Sequence, residues 1–231
     1  MIILLTVAIA PSLALFSYLY LRDQFASEPS KLLFQSFLYG AVLTFPILFV
    51  QYVFDAEGVF TSAFSQNVFF SSVIEEFFKW LVLLIAVYRH VDFEDPYDGI
   101  LYGASVSLGF ATVENILYLL EFGMQTAFLR AFLPVSSHAL FGIVMGYYFG
   151  KAKFSKSSKR RRWLGWAFLS SVVLHMAYNT SLYVYDNIMY GAIPFMLFLW
   201  WFGLRKVKQA HLLSLSHYHD RNSSMQSGDL K

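Results

Sequence analysis

The chain has 231 residues, of which 57% are hydrophobic and only 14% are charged, and its mean hydropathy is +0.52. These values exclude an ordinary soluble domain and indicate a protein that lies in a lipid bilayer. Cysteine is absent, which excludes disulfides, thiolate metal ligands and a cysteine nucleophile. The formal net charge of +2 says little by itself, so the positions of Lys and Arg carry the information.

Seven apolar runs are long enough to cross a hydrocarbon core, which takes about 20 helical residues. The first run has no basic leader and is expected to stay as a span. We therefore expect an all-α, polytopic helix bundle over residues 1–207, followed by a polar, disordered cytoplasmic tail at 208–231. The runs lie at about 2–20, 32–54, 68–88, 100–121, 133–149, 163–184 and 188–204.

Lys and Arg residues alternate between the predicted loops. The loops at 22–31, 89–99 and 150–162 and the tail after 204 hold 15 of the 17, whereas the three intervening loops hold one. The positive-inside rule then places the N-terminus outside and the C-terminus in the cytoplasm. The most basic stretch, KAKFSKSSKRRR, is expected to anchor this topology against the anionic headgroups of the lipid bilayer rather than to bind nucleic acid.

The third run, FFSSVIEEFFKWLVLLIAV, carries Glu75, Glu76 and Lys79, although a charge at mid-bilayer costs at least about 2.5 kcal/mol. Such groups are tolerated only where they face protein or a water-filled cavity. A structural ion pair between helices is one interpretation, but one lysine cannot neutralise two glutamates. If both glutamates face a dry pocket, they share a proton, which suits one of them to act as a general base.

Other polar residues are predicted at the same depth of the membrane. Glu75 lies roughly 10 Å below the outer end of its helix, and polar residues of the next three runs also fall in the outer half. We therefore expect a shared pocket, although interhelical hydrogen bonding is an equal alternative for Glu114 and is favoured for Asn115. The residues are Glu114 and Asn115 in the fourth run, His138 in the fifth, and His175 and Asn179 in the sixth.

Small residues recur every four positions in the fourth and fifth runs. Such stripes lie on one helix face and let helix backbones approach closely in lipid. They are expected to point Asn115 and His138 at a neighbouring helix. The two stripes are Gly99, Gly103, Ser107, Ala111 and Asn115, and His138, Gly142, Gly146 and Gly150.

Carboxylates, histidines and an amide in one partly wet pocket suit the hydrolysis of an amide bond. A glutamate would take a proton from water, and a histidine would orient that water or protonate the leaving amine, with no cofactor required. A divalent metal held by His138, His175 and either Glu75 or Glu76 is a second route, although no His-Glu-x-x-His motif is present. A proton- or ion-coupled transporter and a binding scaffold without catalysis are rival functions.

Four segments resemble the PrsW family of bacterial membrane proteases. They are EEFFK in the third run, DGILYGASVSLGFATVEN in the fourth, a histidine in the fifth and HMAYN in the sixth, and their order covers about residues 68–180. The resemblance implies a multi-pass endopeptidase of the bacterial plasma membrane that cuts a single-span anti-sigma factor on its extracytoplasmic side. That cut lets a second, intramembrane protease act and releases an extracytoplasmic-function sigma factor in envelope stress.

The family is distantly similar to the CAAX-processing proteases, whose pattern is Glu-Glu-x-x-x-Arg, Phe-x-x-x-His and His-x-x-x-Asn. By position, this similarity implies that Glu75 or Glu76 activates water together with His138. It implies that His175 and Asn179 hold the oxyanion. The family is grouped with metalloproteases whereas these relatives act through glutamate, so the resemblance leaves metal dependence open.

Two positions depart from that pattern. Lys79 stands three residues after the second glutamate, where the pattern has an Arg four residues after it. Pro134, rather than Phe, precedes His138 by four residues. The first departure leaves open which glutamate is the base, and Lys79 is then a charge partner of the other glutamate. The second departure gives His138 the weakest positional match among the residues that the resemblance assigns to the site.

Overall fold

A computed structural model describes residues 2–23, 30–123, 129, 131–184 and 190–228. These described residues form seven α-helices and no strand, which confirms the all-α class. Three of the described helices, α1, α2 and α4, are long and apolar enough to cross a membrane by length and composition. The helices are α1 Ile2–Leu21, α2 Ser30–Ala56, α3 Ser71–Val82, α4 Asp98–Phe122, α5 Ser136–Lys153, α6 Ser157–Val184 and α7 Ala192–Gly228.

Irregular helical turns extend two of these helices. π-helical turns at Ser65–Phe70 and Leu83–Val87 continue α3 in both directions, so the helical chain covers the predicted run at 68–88. A third π-helical turn, Ala131–Val135, leads into α5 and contains Pro134. Proline has no N–H group and disturbs the regular α-helical hydrogen bonds of its turn, which explains the irregular entry into α5.

α4 is the central helix of the bundle. It packs against α1, α2 and α5, and every residue from Asp98 to Thr112 is buried. α5 also contacts α6 and α7, while α3 contacts α2 and α6. Because α3 carries the acidic pair and α6 carries His175, this arrangement places two of the predicted site helices side by side.

The two predicted small-residue stripes face each other across the contact of α4 with α5. A Cβ atom on Gly146 would lie 2.0 Å from the carbonyl oxygen of Gly99, and one on Gly103 would lie 2.4 Å from that of Gly142. No side-chain carbon fits at such distances, so the two backbones touch, as small residues allow in membrane helices. His138 begins the α5 stripe and is thereby held against α4.

The C-terminus differs from the predicted disordered tail. α7 runs through the predicted boundary at 207/208 and ends at Gly228. Val207, Ala210 and Ser214 are buried and lie on one helix face, because they are three and four residues apart. The segment is polar on average, so the narrow stripe of buried residues was not recognised in the sequence. The helix continues because that stripe packs on the bundle.

The buried stripe of α7 docks at one end of the bundle. Ser214 Oγ donates a hydrogen bond of 2.8 Å to Asp95 Oδ1, in the loop after α3. His211 Nε2 lies 2.7 Å from the carbonyl oxygen of Arg22, just after α1. The His211 ring also packs on Tyr97, with 4.1 Å between ring centroids. These contacts bring segments of the predicted cytoplasmic loops and tail together at the same end.

We expect Gly146→Leu to lower the stability of the protein by about 2 kcal/mol or more, because the clash is with backbone atoms that cannot turn away. Gly165→Leu is the matched control, since a Cβ atom there meets nothing within 4 Å and leucine favours a helix over glycine. Thermal unfolding of both variants in detergent measures the difference. Equal unfolding temperatures would contradict the close packing of α4 on α5.

Candidate active site

The acidic pair lies on the buried side of α3. Glu75 is 7% exposed, and Glu76 and Lys79 are fully buried at 0%. Lys79 Nζ donates to Glu76 Oε1 over 2.8 Å. Since a buried charge is stable only when it is paired and hydrogen-bonded, Glu76 and Lys79 form one neutral unit within the helix.

Glu75 has a different set of partners. Its Oε1 accepts hydrogen bonds from Ser71 Oγ at 2.8 Å and from Gln51 Nε2 at 3.2 Å. Its Oε2 is buried and has no hydrogen-bond partner in the described part of the chain. Glu76 Oε2 is likewise buried without a hydrogen-bond partner among the described residues. Glu75 Oε2 is the candidate base because the Nε2 atoms of both histidines lie near it. Three side-chain nitrogens lie 3.9 or 4.0 Å from Glu75 Oε2, namely Lys79 Nζ, His138 Nε2 and His175 Nε2.

His175 is oriented by the second glutamate. Its Nδ1 lies 3.1 Å from Glu76 Oε1, and a carboxylate can only accept, so Nδ1 carries the proton and donates it. In the neutral tautomer that this contact selects, Nε2 is the unprotonated nitrogen, and it faces Glu75 Oε2. A carboxylate that fixes the tautomer of a histidine in this way is common beside catalytic and metal-binding imidazoles.

His138 faces His175 but has other partners. The two rings are 5.1 Å apart and nearly perpendicular, at 88°. Lys79 Nζ lies 3.1 Å from His138 Nδ1, and Glu114 Oε2 lies 3.1 Å from His138 Nε2. A lysine ammonium group only donates, so Nδ1 accepts and the ring proton lies on Nε2, which donates to Glu114. Glu114 therefore takes part in the site.

The two predicted asparagines lie apart from each other. Asn179 Nδ2 donates to the carbonyl oxygen of Asn67 at 3.2 Å and to Ser72 Oγ at 3.1 Å, which ties α6 to the first turn of α3. Asn115 Nδ2 donates to the carbonyl oxygen of Ala8 at 3.1 Å, which joins α4 to α1. Asn115 thus makes the interhelical contact that the sequence favoured for it.

Two polar residues that hold Glu75, Gln51 and Ser71, were not predicted from the sequence. Gln51 is a lone amide near the end of the apolar helix α2, and its Nε2 also lies 3.2 Å from Ser71 Oγ. Ser71 precedes Glu75 by four residues and therefore shares its helix face. The depth of Gln51 in α2 could have identified it, and the four-residue spacing from Glu75 could have identified Ser71.

Two phenylalanine rings, those of Phe110 and Phe141, close the site. The chain has 25 phenylalanines, and nothing in the sequence distinguished these two from the others. The Phe110 ring centroid lies 4.1 Å from Lys79 Nζ, so the buried ammonium group has a cation–π contact. The Phe141 ring stacks on His175, with 4.9 Å between centroids. Both rings are buried and keep the charged groups away from lipid.

Glu75, His138 and His175 form a group that could hold a metal ion, because one donor atom from each lies within 4.8 Å of the others. A carboxylate and two imidazoles suit zinc and similar divalent ions. The unpartnered Glu75 Oε2 fits a ligand role as well as a basic one. The proton on His138 Nε2 would have to leave, since only an unprotonated nitrogen binds a metal.

Buried acid–base groups that face one another inside a bundle with membrane-spanning helices are features of a membrane-embedded hydrolase. The sequence model of the PrsW family intramembrane metalloprotease matches residues 28–203. The chain belongs to this family and is therefore a membrane-embedded protease.

Similar proteins cover nearly the whole chain. Protease PrsW of Bacillus subtilis (strain 168) is 49% identical over 215 residues, which are 93% of this chain and 99% of that protein. Protease PrsW of Geobacillus kaustophilus (strain HTA426) is 51% identical over 208 residues, or 90% and 92% of the two chains. Protease PrsW of Clostridioides difficile (strain 630) is 31% identical over 216 residues, or 89% and 90%. No solved structure matches the chain at a significant level.

We expect Glu76→Gln to lower stability by about 3 kcal/mol, because it leaves the Lys79 ammonium group buried without its nearest charge partner. Adding Lys79→Met to the same chain should restore most of that loss, since it removes the buried ammonium charge that Glu76→Gln leaves uncompensated. Glu121→Gln is the control, because Glu121 is exposed on α4. Unfolding in detergent measures all three. If the double variant is as unstable as the single one, the pair is not the source of the effect.

Proposed function

We propose that the chain hydrolyses a peptide bond of a single-span anti-sigma factor on the extracytoplasmic side of the bacterial plasma membrane. This is the site-1 step of regulated intramembrane proteolysis, which activates an extracytoplasmic-function sigma factor. The observation that carries the chemical part of the proposal is the buried Glu75 Oε2, which has no partner among the described residues and faces two histidines. The anti-sigma factor rests on the resemblance to the family.

We infer that the helices cross the membrane seven times, with the N-terminus outside and the C-terminus in the cytoplasm. The contacts of α7 with Arg22 and Asp95 support this, because they join the predicted cytoplasmic loops at one end. The site lies towards the other end of the helices. Gln51 is near the end of α2, Asn179 is near the end of α6, and both bond to α3 or the turn before it. The proposed orientation places that end in the extracytoplasmic half.

In the proposed mechanism Glu75 takes a proton from a water molecule held near its Oε2. The unprotonated Nε2 of His175 accepts the other hydrogen and orients the water, and Glu76 holds His175 in place. The water oxygen attacks the carbonyl carbon, and the C–N bond breaks as Glu75 passes its proton to the leaving amine. Lys79 balances the charge of Glu76 throughout.

His138 is the proposed donor to the oxyanion. Its Nε2–H would turn from Glu114 to the negative oxygen that develops on the substrate carbonyl. The distant resemblance implies the reverse, with His138 beside the water and His175 at the oxyanion. Asn179 is proposed as a positioning residue, because its amide group is already used by Asn67 and Ser72.

A divalent metal is the second way of activating the water. Glu75, His138 and His175 would hold it, and the family is described as metalloproteases. When bound, the metal would acidify the water and polarise the scissile carbonyl. Glu76 would still orient His175 in that case, and Lys79 would have to move its hydrogen bond from His138 Nδ1. The contact of Lys79 with His138 favours the route in which Glu75 acts as the base.

A proton- or ion-coupled transporter could use the same intramembrane groups. Membership of a protease family does not favour it.

We expect Glu75→Gln to lower cleavage at least about a hundredfold, because an amide cannot take a proton from water. The assay uses purified protein in liposomes with a single-span anti-sigma factor and measures the initial rate of cleavage. Glu121→Gln, which removes an exposed carboxylate from α4, is the control and should cleave normally. Cleavage by Glu75→Gln at the normal rate would overturn the role of Glu75, whatever the substrate.

We expect cleavage to persist after exhaustive chelation, because Glu75 and His175 can activate water without another group. The same preparation is analysed for zinc, manganese and iron by mass spectrometry before and after chelation. A loss of activity that one divalent ion restores would instead make Glu75, His138 and His175 ligands. A His175→Ala variant that has lost one metal equivalent would support the same conclusion without any activity measurement.

A further inference from the structure

A cavity of about 660 Å³ lies between the end of α3, the end of α5 and the start of α6. It is remote from the active site, since Arg89 follows Glu75 by fourteen residues, or roughly 21 Å of helix. One wall is apolar and the other is basic. The apolar wall is made by Leu84, Ile85 and Leu164, and the polar wall by Tyr88, Arg89, Lys153 and Arg160.

The polar wall carries three cationic side chains and no carboxylate. Arg89 and Arg160 are exposed, and neither forms an ion pair within the described residues. Lys153 Nζ donates to the carbonyl oxygen of His90 at 2.8 Å, which holds it at the edge of the cavity. Arginines that lack a protein carboxylate are available to an anion, and their planar groups match a phosphate.

Tyr88 adds a hydrogen-bond donor to the same wall. Its hydroxyl group is buried and has no hydrogen-bond partner among the described residues. A buried hydroxyl without a partner costs free energy unless a ligand or water satisfies it. Tyr88 also stands at the end of the predicted span, where tyrosine is common at the level of lipid headgroups.

Part of the apolar wall is open to the surroundings of the helix bundle, where lipid is expected. Ile85 is 70% exposed, as expected for a residue in contact with lipid. Leu164 is fixed by α3, because Trp80 Nε1 donates to its carbonyl oxygen at 3.0 Å. A soluble phosphate would use only the basic wall, whereas a phospholipid would use both walls.

We propose that this cavity binds one anionic phospholipid. The headgroup phosphate contacts Arg89, Arg160 and the Tyr88 hydroxyl group, and an acyl chain lies along Leu84 and Ile85. Basic pockets between membrane helices on the cytoplasmic side recognise anionic headgroups in this manner. The bound lipid bridges α3, α5 and α6, which carry Glu75, His138 and His175, so it stabilises the arrangement of the three helices from the opposite end.

Binding in this cavity can be distinguished from a non-specific attraction of anionic lipids by the basic stretch at 151–162. Arg161 and Arg162 are exposed, like Arg160, and lie next to it in the sequence, but they are not among the residues that line the cavity. Arg161→Gln with Arg162→Gln therefore removes the same charge as Arg89→Gln with Arg160→Gln without touching the cavity. Any effect of net charge alone must be equal in the two double variants.

The experiment is native mass spectrometry of the delipidated full chain, titrated with phosphatidylglycerol, phosphatidylcholine or inorganic phosphate. We expect one phosphatidylglycerol to bind more tightly than phosphatidylcholine, and Arg89→Gln with Arg160→Gln to weaken it roughly tenfold to thirtyfold. Arg161→Gln with Arg162→Gln should bind like the unchanged protein. Tyr88→Phe should weaken binding by a smaller factor, which tests the site without a change of charge.

Three outcomes would overturn the proposal. Equal losses in the two double variants would mean diffuse attraction, and equal binding of the two lipids would mean no selectivity for charge. Displacement of phosphatidylglycerol by millimolar inorganic phosphate would mean a site for a soluble anion. Thermal unfolding of each variant in neutral detergent checks folding, and Arg89→Gln and Arg160→Gln change exposed side chains. A protein that binds phosphatidylglycerol normally but does not cleave the anti-sigma factor would contradict the proposed function and leave the lipid site intact.

Discussion

The burial of Lys79 between two glutamates is the constraint on which the rest of the structure depends. A fully buried ammonium group in a membrane helix needs a carboxylate, and Glu76 supplies it one helical turn away. This pairing leaves Glu76 with a fixed position, from which its Oε1 also accepts from His175 Nδ1. The same pairing leaves Glu75 with the longer contact to Lys79, 3.9 Å from its Oε2, and this oxygen has no hydrogen-bond partner among the described residues. Of two adjacent, identical side chains, one is therefore hydrogen-bonded to Lys79 and His175, and the other, the proposed base, faces both histidines.

The position of His138 depends on backbone packing rather than on charge. Gly99 and Gly146 bring α4 and α5 into backbone contact, and His138 lies at the end of the same stripe. Phe110 and Glu114 of α4 then reach the ring of His138 from the same helix, with 5.2 Å between the ring centroids of Phe110 and His138. Any larger residue along the stripe would move His138 away from Glu75. Close packing of small residues is thus a condition for the geometry of the polar site.

The sequence predicted the helical bundle and the meeting of Glu75, Glu76, His138 and His175, because intramembrane polar residues must face one another and helical spacing fixes their faces. It could not assign separate partners to the two glutamates, since adjacent residues on a helix differ by about 100° in direction and only the neighbouring helices decide what each one meets. It also missed the helical continuation of α7. Average polarity predicted disorder there, whereas Val207, Ala210 and Ser214 are buried on one face, and Ser214 bonds to Asp95 in the loop after α3.

The two ends of the bundle serve different purposes in this arrangement. At one end, α3 begins beside Gln51 and Asn179, and its polar face holds the candidate active site. At the other end, its π-helical turn Leu83–Val87 reaches a basic cavity shared with α5 and α6. A π-helical turn changes the direction of side chains along a helix. In the proposed topology, α3 presents acidic groups to the interior at one depth, and the turn that follows it presents Tyr88 and Arg89 to the membrane surface at another. The same three helices that form the site also line this cavity, so the proposed lipid would link the lipid composition of the membrane to the geometry around Glu75.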